Sequence, residues 1–184
     1  MERQISDRSV LDKFVLSFCA IVEKHAKYII VSGFVAIASG RARGTEDIDM
    51  ILPRLSNKVF SGLHKDLVKN GFECLQSEDE KEIHSYLQDN LSVRYIWNDK
   101  HIPEMEVKFA KDGIDAMQLK DRVKLPLTGL DIWFSSINVN VAFKEGYLKS
   151  QKDIEDAKHL RIVYSELIDE GEIRRVKRML EDRK

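Results

Sequence analysis

The chain has 184 residues, 43% hydrophobic and 33% charged, which is enough apolar material for the core of one domain. Its 30 basic and 31 acidic residues give a formal net charge of -1, which excludes a general electrostatic attraction to nucleic acid or membrane surfaces. The N-terminal MERQISDRSV is charged where a secretory signal becomes apolar, and no apolar run approaches the roughly 20 residues of a membrane span. Cys19 and Cys74 lack metal-ligand spacing, so we expect buried thiols in a soluble, cytoplasmic protein.

The first predicted element is a helix with one apolar face, formed by Leu11, Phe14, Val15, Phe18 and Val22. Ser6 or Asp7 is expected to cap its start. The β-branched run over 28–31 then predicts a buried strand, and a Ser-Gly turn leads into a short helix that ends at Ser39. Strand, turn and helix form the first structural unit.

The central part of the chain predicts a strand, a helix and a second strand, over 47–52, 59–68 and 72–75. Pro53 stops the first strand, and Asn70-Gly71 ends the helix. The polar, acid-rich stretch 76–90 is expected to form a loop or a solvated helix.

The next predicted unit is an antiparallel hairpin over 91–97 and 105–110, joined by the turn-forming Asn98-Asp99-Lys100. Two further runs, 123–125 and 130–134, predict edge strands, and three helices follow over 135–148, 153–169 and 172–183, the last after a break at Gly171. The outline predicts an α/β (α+β) fold in a single domain, with a sheet-containing core over 1–134 and C-terminal helices over 135–184.

Two acids separated by one residue stand at the start of the 47–52 strand. Successive strand side chains point to opposite faces, so Asp47 and Asp49 share a face, about 6.5–7 Å apart along the backbone, while Ile48 faces the core. Such carboxylates suit a pair of Mg²⁺ ions, which sit about 3.5–4 Å apart in phosphoryl-transfer sites. A third acid is expected from a neighbouring strand, where Glu106 is the best placed candidate and Glu104, in the same phase, is its rival.

A phosphate-binding segment precedes these acids. The turn at Ser32-Gly33 lets backbone N–H groups approach an anion, and the N-terminus of the following helix adds a favourable partial charge. Arg41, Arg43 and Thr45 then supply donors directly before Asp47. The sequence therefore predicts phosphate-facing groups beside metal-facing carboxylates.

These residues resemble a known family. The strand YIIV with its Ser-Gly turn, followed by Arg43-Gly44-Thr45-Glu46-Asp47-Ile48-Asp49, is similar to the pattern of the DNA polymerase β-type nucleotidyltransferase superfamily. The spacing most resembles the small abortive-infection (AbiEii-like) nucleotidyltransferases. Lys144 and the stretch KDIED over 152–156 resemble elements of that family's helical part, so the resemblance spans about residues 28 to 160.

The resemblance implies a nucleotidyltransferase fold with a mixed sheet flanked by helices. It also implies two Mg²⁺ ions held by three acids, and transfer of a nucleoside monophosphate from a nucleoside triphosphate with release of pyrophosphate. Asp47 and Asp49 match the family's metal-ligand motif, and Glu106 takes the third place with less motif support. The expected triphosphate contacts are Ser32, Gly33, Arg43, Thr45 and Lys144. The Ser-Gly order of the turn departs from the family's usual Gly-Gly or Gly-Ser.

Other interpretations remain open at this level. A non-catalytic nucleotidyltransferase-fold binding module, partner-binding or antitoxin-like, is the main alternative, and a glycosyltransferase metal site at the Asp-Ile-Asp is the other. Lys152, Asp153 and Asp156 are expected to be structural, and the basic run over 174–178 is expected to be the wet face of a helix rather than an RNA-binding surface. The acceptor is undetermined and is a protein, an RNA or a small molecule.

Overall fold

The computed structural model describes residues 9–183, which contain five strands and eight α-helices. The strands are β1 (Ile29–Val31), β2 (Asp47–Leu52), β3 (Phe72–Cys74), β4 (Val93–Trp97) and β5 (Glu104–Phe109). The helices are α1 (Val10–Val22), α2 (Gly33–Ala38), α3 (Asn57–Lys69), α4 (Glu80–Gln88), α5 (Gly113–Lys120), α6 (Ile137–Phe143), α7 (Gln151–Val163) and α8 (Glu170–Glu181). Ser9 caps α1 by accepting from the Asp12 amide, whereas the predicted caps Ser6 and Asp7 lie outside the described residues.

The five strands form one mixed sheet in the order β1-β2-β5-β4-β3. The predicted hairpin of β4 and β5 is confirmed as an antiparallel pair, with Val93 opposite Val107. β1 and β2 are also antiparallel, while β2 and β5 run parallel. The mixed α/β class with helices flanking the sheet is therefore confirmed.

The two faces of the sheet are buried to different degrees. Ile48, Met50 and Leu52 of β2 point to the main core, where they are fully buried with residues of α1 and α3. On the opposite face only a small cluster forms, in which Ile51 packs with Ile29 and with Leu119 of α5. The N-terminal half of β2 therefore keeps its second face accessible, and this face carries the acids.

The C-terminal helices differ from the predicted boundaries. A π-helical turn (Lys144–Leu148) continues α6, so the predicted helix over 135–148 is not regular throughout. α7 ends at Val163 instead of Asp169, and a 3₁₀ turn (Ser165–Leu167) follows it. Gly171 lies in the first turn of α8 and does not break the helix, because Asp169 caps the amides of Gly171 and Glu172.

Three other expectations need correction. The runs 123–125 and 130–134 form only isolated bridges, with Phe134 opposite both Ile30 and Val123, instead of edge strands. Within 76–90 the chain forms α4, which buries Ile83 and Leu87 and is therefore amphipathic instead of fully solvated. Cys19 is buried as expected, whereas Cys74 is only partly covered.

Among residues 9–183, no helix combines the length and the apolar character that a bilayer crossing requires.

Candidate active site

The carboxylates of β2 and β5 share the open face of the sheet. Asp47 is exposed, Ile48 is buried and Asp49 is partly buried, which is the alternation expected for this strand. The parallel register sets Asp47 beside Glu104 and Asp49 beside Glu106. Adjacent strands lie about 4.8 Å apart, so both glutamates of β5 stand next to the aspartates of β2.

Two basic side chains neutralise part of this acidic face. Arg94 of β4 contacts Glu104 through Nε and Glu106 through Nη2, both at 3.2 Å. Lys108, two residues beyond Glu106, has its Nζ 3.6 Å from an Asp49 carboxylate oxygen. In the described part of the chain, no three His, Cys, Asp or Glu side chains are arranged as a cage for a metal ion.

The Asp49 carboxyl experiences both burial and nearby charge. Burial raises its pKa above the ordinary value, and the charges of Glu106 and Asp47 raise it further. Lys108 and a hydrogen bond from Ser32 lower the pKa and oppose these effects. The net upward direction follows mainly from burial, and the repulsion from Glu106 and Asp47 adds to it, so a cation placed between these carboxylates would favour their ionised forms.

The turn between β1 and α2 lies against the same site. Ser32 has φ 66° and ψ -136°, a left-handed conformation that favours glycine and is seldom kept by a serine without compensation. At Gly33 a Cβ atom would lie 3.0 Å from Nη2 of Arg43, so the guanidinium packs directly over the glycine. Since α2 has only six residues, the macrodipole predicted to aid anion binding is small, and cationic side chains carry more of the positive charge.

A buried carboxylate organises the cations behind this turn. Asp156 of α7 is fully buried and receives Nη1 of Arg43 at 2.6 Å and Nζ of Lys144 at 2.9 Å. Nε of Arg41 stands 2.8 Å from its other oxygen. Asp156 therefore ties the segment before β2 to the C-terminal helices, in keeping with the structural role expected for it.

Other predicted residues have more local roles. Thr45 donates its hydroxyl to the Asp47 carbonyl oxygen at 2.9 Å, which fixes the backbone directly before the acids. Asp153 completes a capping box with Ser150 at the start of α7, as expected for a structural acid. In α8, Ile173, Val176 and Leu180 are buried. Arg174, Arg175 and Arg178 are exposed, whereas Lys177 is partly buried and pairs with Glu145.

A cavity of about 310 Å³ lies between the sheet and the C-terminal helices. Ser32, Asp49, Lys108 and Lys144 all line it, so residues from four separate segments meet there. Five other predicted site residues are not among the lining residues: Gly33, Arg43, Thr45, Asp47 and Glu106. Lys144 is almost fully buried, and its ammonium is bound to Asp156.

Sequence reasoning missed Lys108 and Arg94. The signal for Lys108 was present, because residue i+2 on a strand shares a face with residue i, so a side chain two positions after Glu106 faces the acids. Predicting the role of Arg94 requires the register of β4 against β5, in which Arg94 stands opposite Glu106. Local sequence patterns do not determine that register.

Comparisons with known proteins identify the fold. No family model matches the chain, and no curated protein matches it in sequence. Two structures of the antibiotic-resistance factor ANT(2'')-Ia are similar, each with a TM-score of 0.57 and 13% identity. A solution structure is matched over 94% of this chain and 92% of its own. A crystal structure in complex with adenylyl-2''-tobramycin is matched over 95% of this chain and 99% of its own.

ANT(2'')-Ia is a nucleotidyltransferase with a DNA polymerase β-like fold. At 13% identity the similarity concerns the fold, and it covers nearly the whole of both chains. This chain therefore has the nucleotidyltransferase fold, with Asp47 and Asp49 on the open face of its sheet.

Proposed function

We propose that the chain is a Mg²⁺-dependent nucleotidyltransferase that transfers a nucleoside monophosphate from a nucleoside triphosphate to an acceptor and releases pyrophosphate. The observation that carries the proposal is the parallel register of β2 and β5, which sets Asp49 beside Glu106 next to the Ser32-Gly33 turn. An acidic face beside an anion-accommodating turn is the combination that phosphoryl transfer requires. The resemblance to abortive-infection nucleotidyltransferases is part of this proposal.

The donor set fits Mg²⁺ in its chemistry. Asp47, Asp49 and Glu106 offer hard carboxylate oxygens on one face, and the pKa of Asp49 is raised by burial and, to a smaller extent, by Glu106 and Asp47. These three residues would hold the ions once Lys108 and Arg94 release Asp49 and Glu106. When bound, the ions supply positive charge that stabilises the phosphate oxygens in the transition state.

The phosphate side of the site is supplied by the chain's own donors. Gly33 lets the Arg43 guanidinium pack directly against the backbone of the turn, which brings a positive charge to the start of α2. Lys144 reaches the same cavity from the C-terminal helices, held by Asp156. We assign to Ser32, Gly33, Arg43 and Lys144 the orientation of the triphosphate, and to Thr45 the positioning of the Asp47 backbone.

The reaction requires one in-line displacement. An acceptor oxygen forms a bond to the α-phosphorus while the bond from that phosphorus to the pyrophosphate oxygen breaks. The protein contributes position and electrostatic stabilisation, since the chemistry needs no covalent enzyme intermediate. The structural neighbour crystallised with adenylyl-2''-tobramycin makes a small polyhydroxylated molecule one class of acceptor to test, beside RNA and protein.

The proposal is tested by incubating the pure protein with α-labelled nucleoside triphosphates, Mg²⁺ and panels of the three acceptor classes. The expected result is Mg²⁺-dependent release of pyrophosphate together with transfer of the label to one class. Asp47→Asn is the matched inactive control, because it removes a proposed ligand from an exposed position and leaves the core intact. Label transfer that persists in Asp47→Asn would contradict the assignment.

A second candidate is a non-catalytic binding module with the same fold. The observation that favours it is that Arg94 and Lys108 already pair with Glu106 and Asp49, so part of the acidic face is neutralised from within. Substituting Lys108 separates the two functions. In an enzyme, Lys108→Met alters Mg²⁺ dependence or turnover, whereas in a binding module it changes only stability.

A further inference from the structure

The cavity wall formed by the C-terminal helices has an irregular backbone. One face of α6 and of the π turn (Lys144–Leu148) that continues it lines the cavity. Five residues form this face: Asn140, Phe143, Lys144, Tyr147 and Leu148. In the π turn the Lys149 N–H donates at 3.0 Å to the Lys144 carbonyl oxygen, which is five residues back instead of the four of an α-helix. Single π turns are rare and recur at functional sites.

Glu145 ties the π turn to both of the helices that follow it. Its carboxylate accepts from Nε of Arg161 at 2.7 Å and from Nη2 of the same guanidinium at 3.1 Å, which is a two-pronged contact with α7. Nζ of Lys177 on α8 donates to it at 2.5 Å. Burial raises the pKa of Glu145, but the hydrogen bonds from Arg161 and Lys177 lower it further, so the net direction is downward and the carboxylate is ionised.

Gly146 fits the π turn to α8 in a second way. A Cβ atom at this position would lie 3.0 Å from Cγ of Lys177, so the lysine stem packs directly against the backbone of the π turn. The same lysine carries the ammonium that is bound to Glu145. Two consecutive residues of the π turn therefore contact one side chain of α8, the first by charge and the second by close packing.

Lys144 points to the other side of the π turn. Its side chain lines the cavity, where its Nζ is bound to Asp156 at 2.9 Å, whereas Glu145 and Gly146 are not among the lining residues. Relaxation of the π turn to a regular α-helix would rotate the residues after it by about 100° relative to α6. Such a rotation would move Tyr147 out of the cavity wall and separate Glu145 from its partners, so the clamp at Glu145 opposes it.

We propose that Glu145 is a positioning residue, which holds the π turn through Arg161 and Lys177 and thereby keeps Lys144 directed at the bound triphosphate. The inference rests on the proposed nucleotidyl transfer, because it assigns the support of a proposed triphosphate contact. Glu145 acts through Lys144, since its own carboxylate is turned to α7 and α8.

The test is calorimetric titration of the unaltered chain and of Glu145→Gln, in the presence of Mg²⁺, with inorganic tripolyphosphate and with the nucleoside triphosphates. Glutamine keeps the shape of the side chain and removes the charge that both cations contact. The affinity for tripolyphosphate and for the tightest nucleotide should fall on the order of tenfold, because the two ligands share the phosphate contacts. In transfer assays the KM for the triphosphate should rise by a similar factor, while kcat changes less than about threefold.

Glu170→Gln is the matched control, because Glu170 pairs with the same Arg161 but lies at the start of α8 and is half exposed. Its tripolyphosphate affinity should stay within about twofold of the unaltered chain. Gly146→Ala disturbs the clamp from another position, since its methyl group displaces the Lys177 stem without changing any charge. It should weaken tripolyphosphate binding in the same direction, and it decides the question should Glu145→Gln fail to fold.

Urea unfolding of each variant separates positioning from a purely structural role, and all titrations are made where the variants are folded. If Glu145→Gln loses stability while its tripolyphosphate affinity and KM equal those of the unaltered chain, the inference is overturned and triphosphate binding stands. If the unaltered chain binds neither tripolyphosphate nor any nucleotide, the proposed function falls and the inference falls with it.

Discussion

At the scale of single residues, the site depends on carboxylates that are close enough to repel one another. Asp49 stands beside Glu106 on β5, and burial together with both neighbouring acids raises its pKa. In the absence of a metal, Lys108 and Arg94 provide the compensating charge. The acids are therefore arranged at a cost to stability, which is typical of functional residues.

Asp49→Asn should abolish nucleotidyl transfer, with a loss of about 10²-fold or more, because a proposed metal ligand is removed. The free energy of unfolding should stay unchanged or rise slightly, since the amide lowers the repulsion from Glu106 and Asp47. Activity assays and thermal unfolding measure the two effects. Asp131→Asn, at an exposed surface aspartate, is the control. A large loss of stability would instead assign Asp49 a structural role.

Glu106→Gln should reduce transfer about 10²-fold, and Glu104→Gln less than about tenfold, because Glu106 stands beside Asp49, which lines the cavity, while Glu104 stands beside the exposed Asp47. Steady-state rates at saturating Mg²⁺ provide the measurement, and Glu73→Gln on β3 is the strand control. The opposite order of the two effects would make Glu104 the third acid.

At the scale of elements, the helix α3 packs on the sheet through a buried polar contact. His64 of α3 hydrogen-bonds through Nδ1 to the hydroxyl of Tyr95 on β4 at 2.9 Å. Burial lowers the pKa of His64 below its ordinary value. The neutral imidazole is thus the form that the folded protein accommodates.

The free energy of unfolding should therefore fall as the pH is lowered through and below about 6.5, where His64 gains a proton in the unfolded chain before it does so in the folded one. Above about pH 7.5 both states carry the neutral ring, so this contribution is fully retained. Chemical denaturation of the unaltered chain and His64→Asn between pH 5.5 and 8 measures the difference, with the exposed His101→Asn as control. Equal pH slopes in all three proteins would refute the assignment.

The elements that sequence reasoning predicted correctly have strong local patterns. The apolar stripe of α1 and the alternation in β2 need no tertiary information, and both are found where expected. In contrast, α5 was not predicted, because its buried positions are a mixture of apolar and polar residues and its start depends on Asp112 capping the amides of Ile114 and Asp115. The break between α7 and α8 was misplaced for a similar reason, since Asp169 caps α8 and accommodates Gly171.

At the scale of the whole molecule, the sheet and the C-terminal helices are joined through Asp156. One fully buried carboxylate contacts Arg41, Arg43 and Lys144, which come from two distant parts of the chain. Sequence patterns placed Arg43 near the acids and Lys144 in a helix. They did not contain the long-range packing that brings both to Asp156, because only the folded chain defines it.

Asp156→Asn should lower the free energy of unfolding by about 3–5 kcal/mol, because it leaves the buried Lys144 and two partly buried arginines without their shared carboxylate. Glu155→Gln is the matched control, because Glu155 lies on the same helix as Asp156 and also pairs with Arg41. Since Glu155 is partly exposed, removing its charge should cost less than about 1 kcal/mol. Urea unfolding monitored by circular dichroism measures both. Equal effects of the two substitutions would show that Asp156 does not organise the cluster.

The central claim is that carboxylates, turn and cations form one site for a metal-bound triphosphate. Calorimetric titration of the unaltered chain with nucleoside triphosphates, with and without Mg²⁺, tests it most directly. The account predicts saturable binding of one triphosphate per chain that weakens at least about tenfold when Mg²⁺ is removed. Absence of binding at millimolar triphosphate, or binding that is indifferent to Mg²⁺, would contradict it.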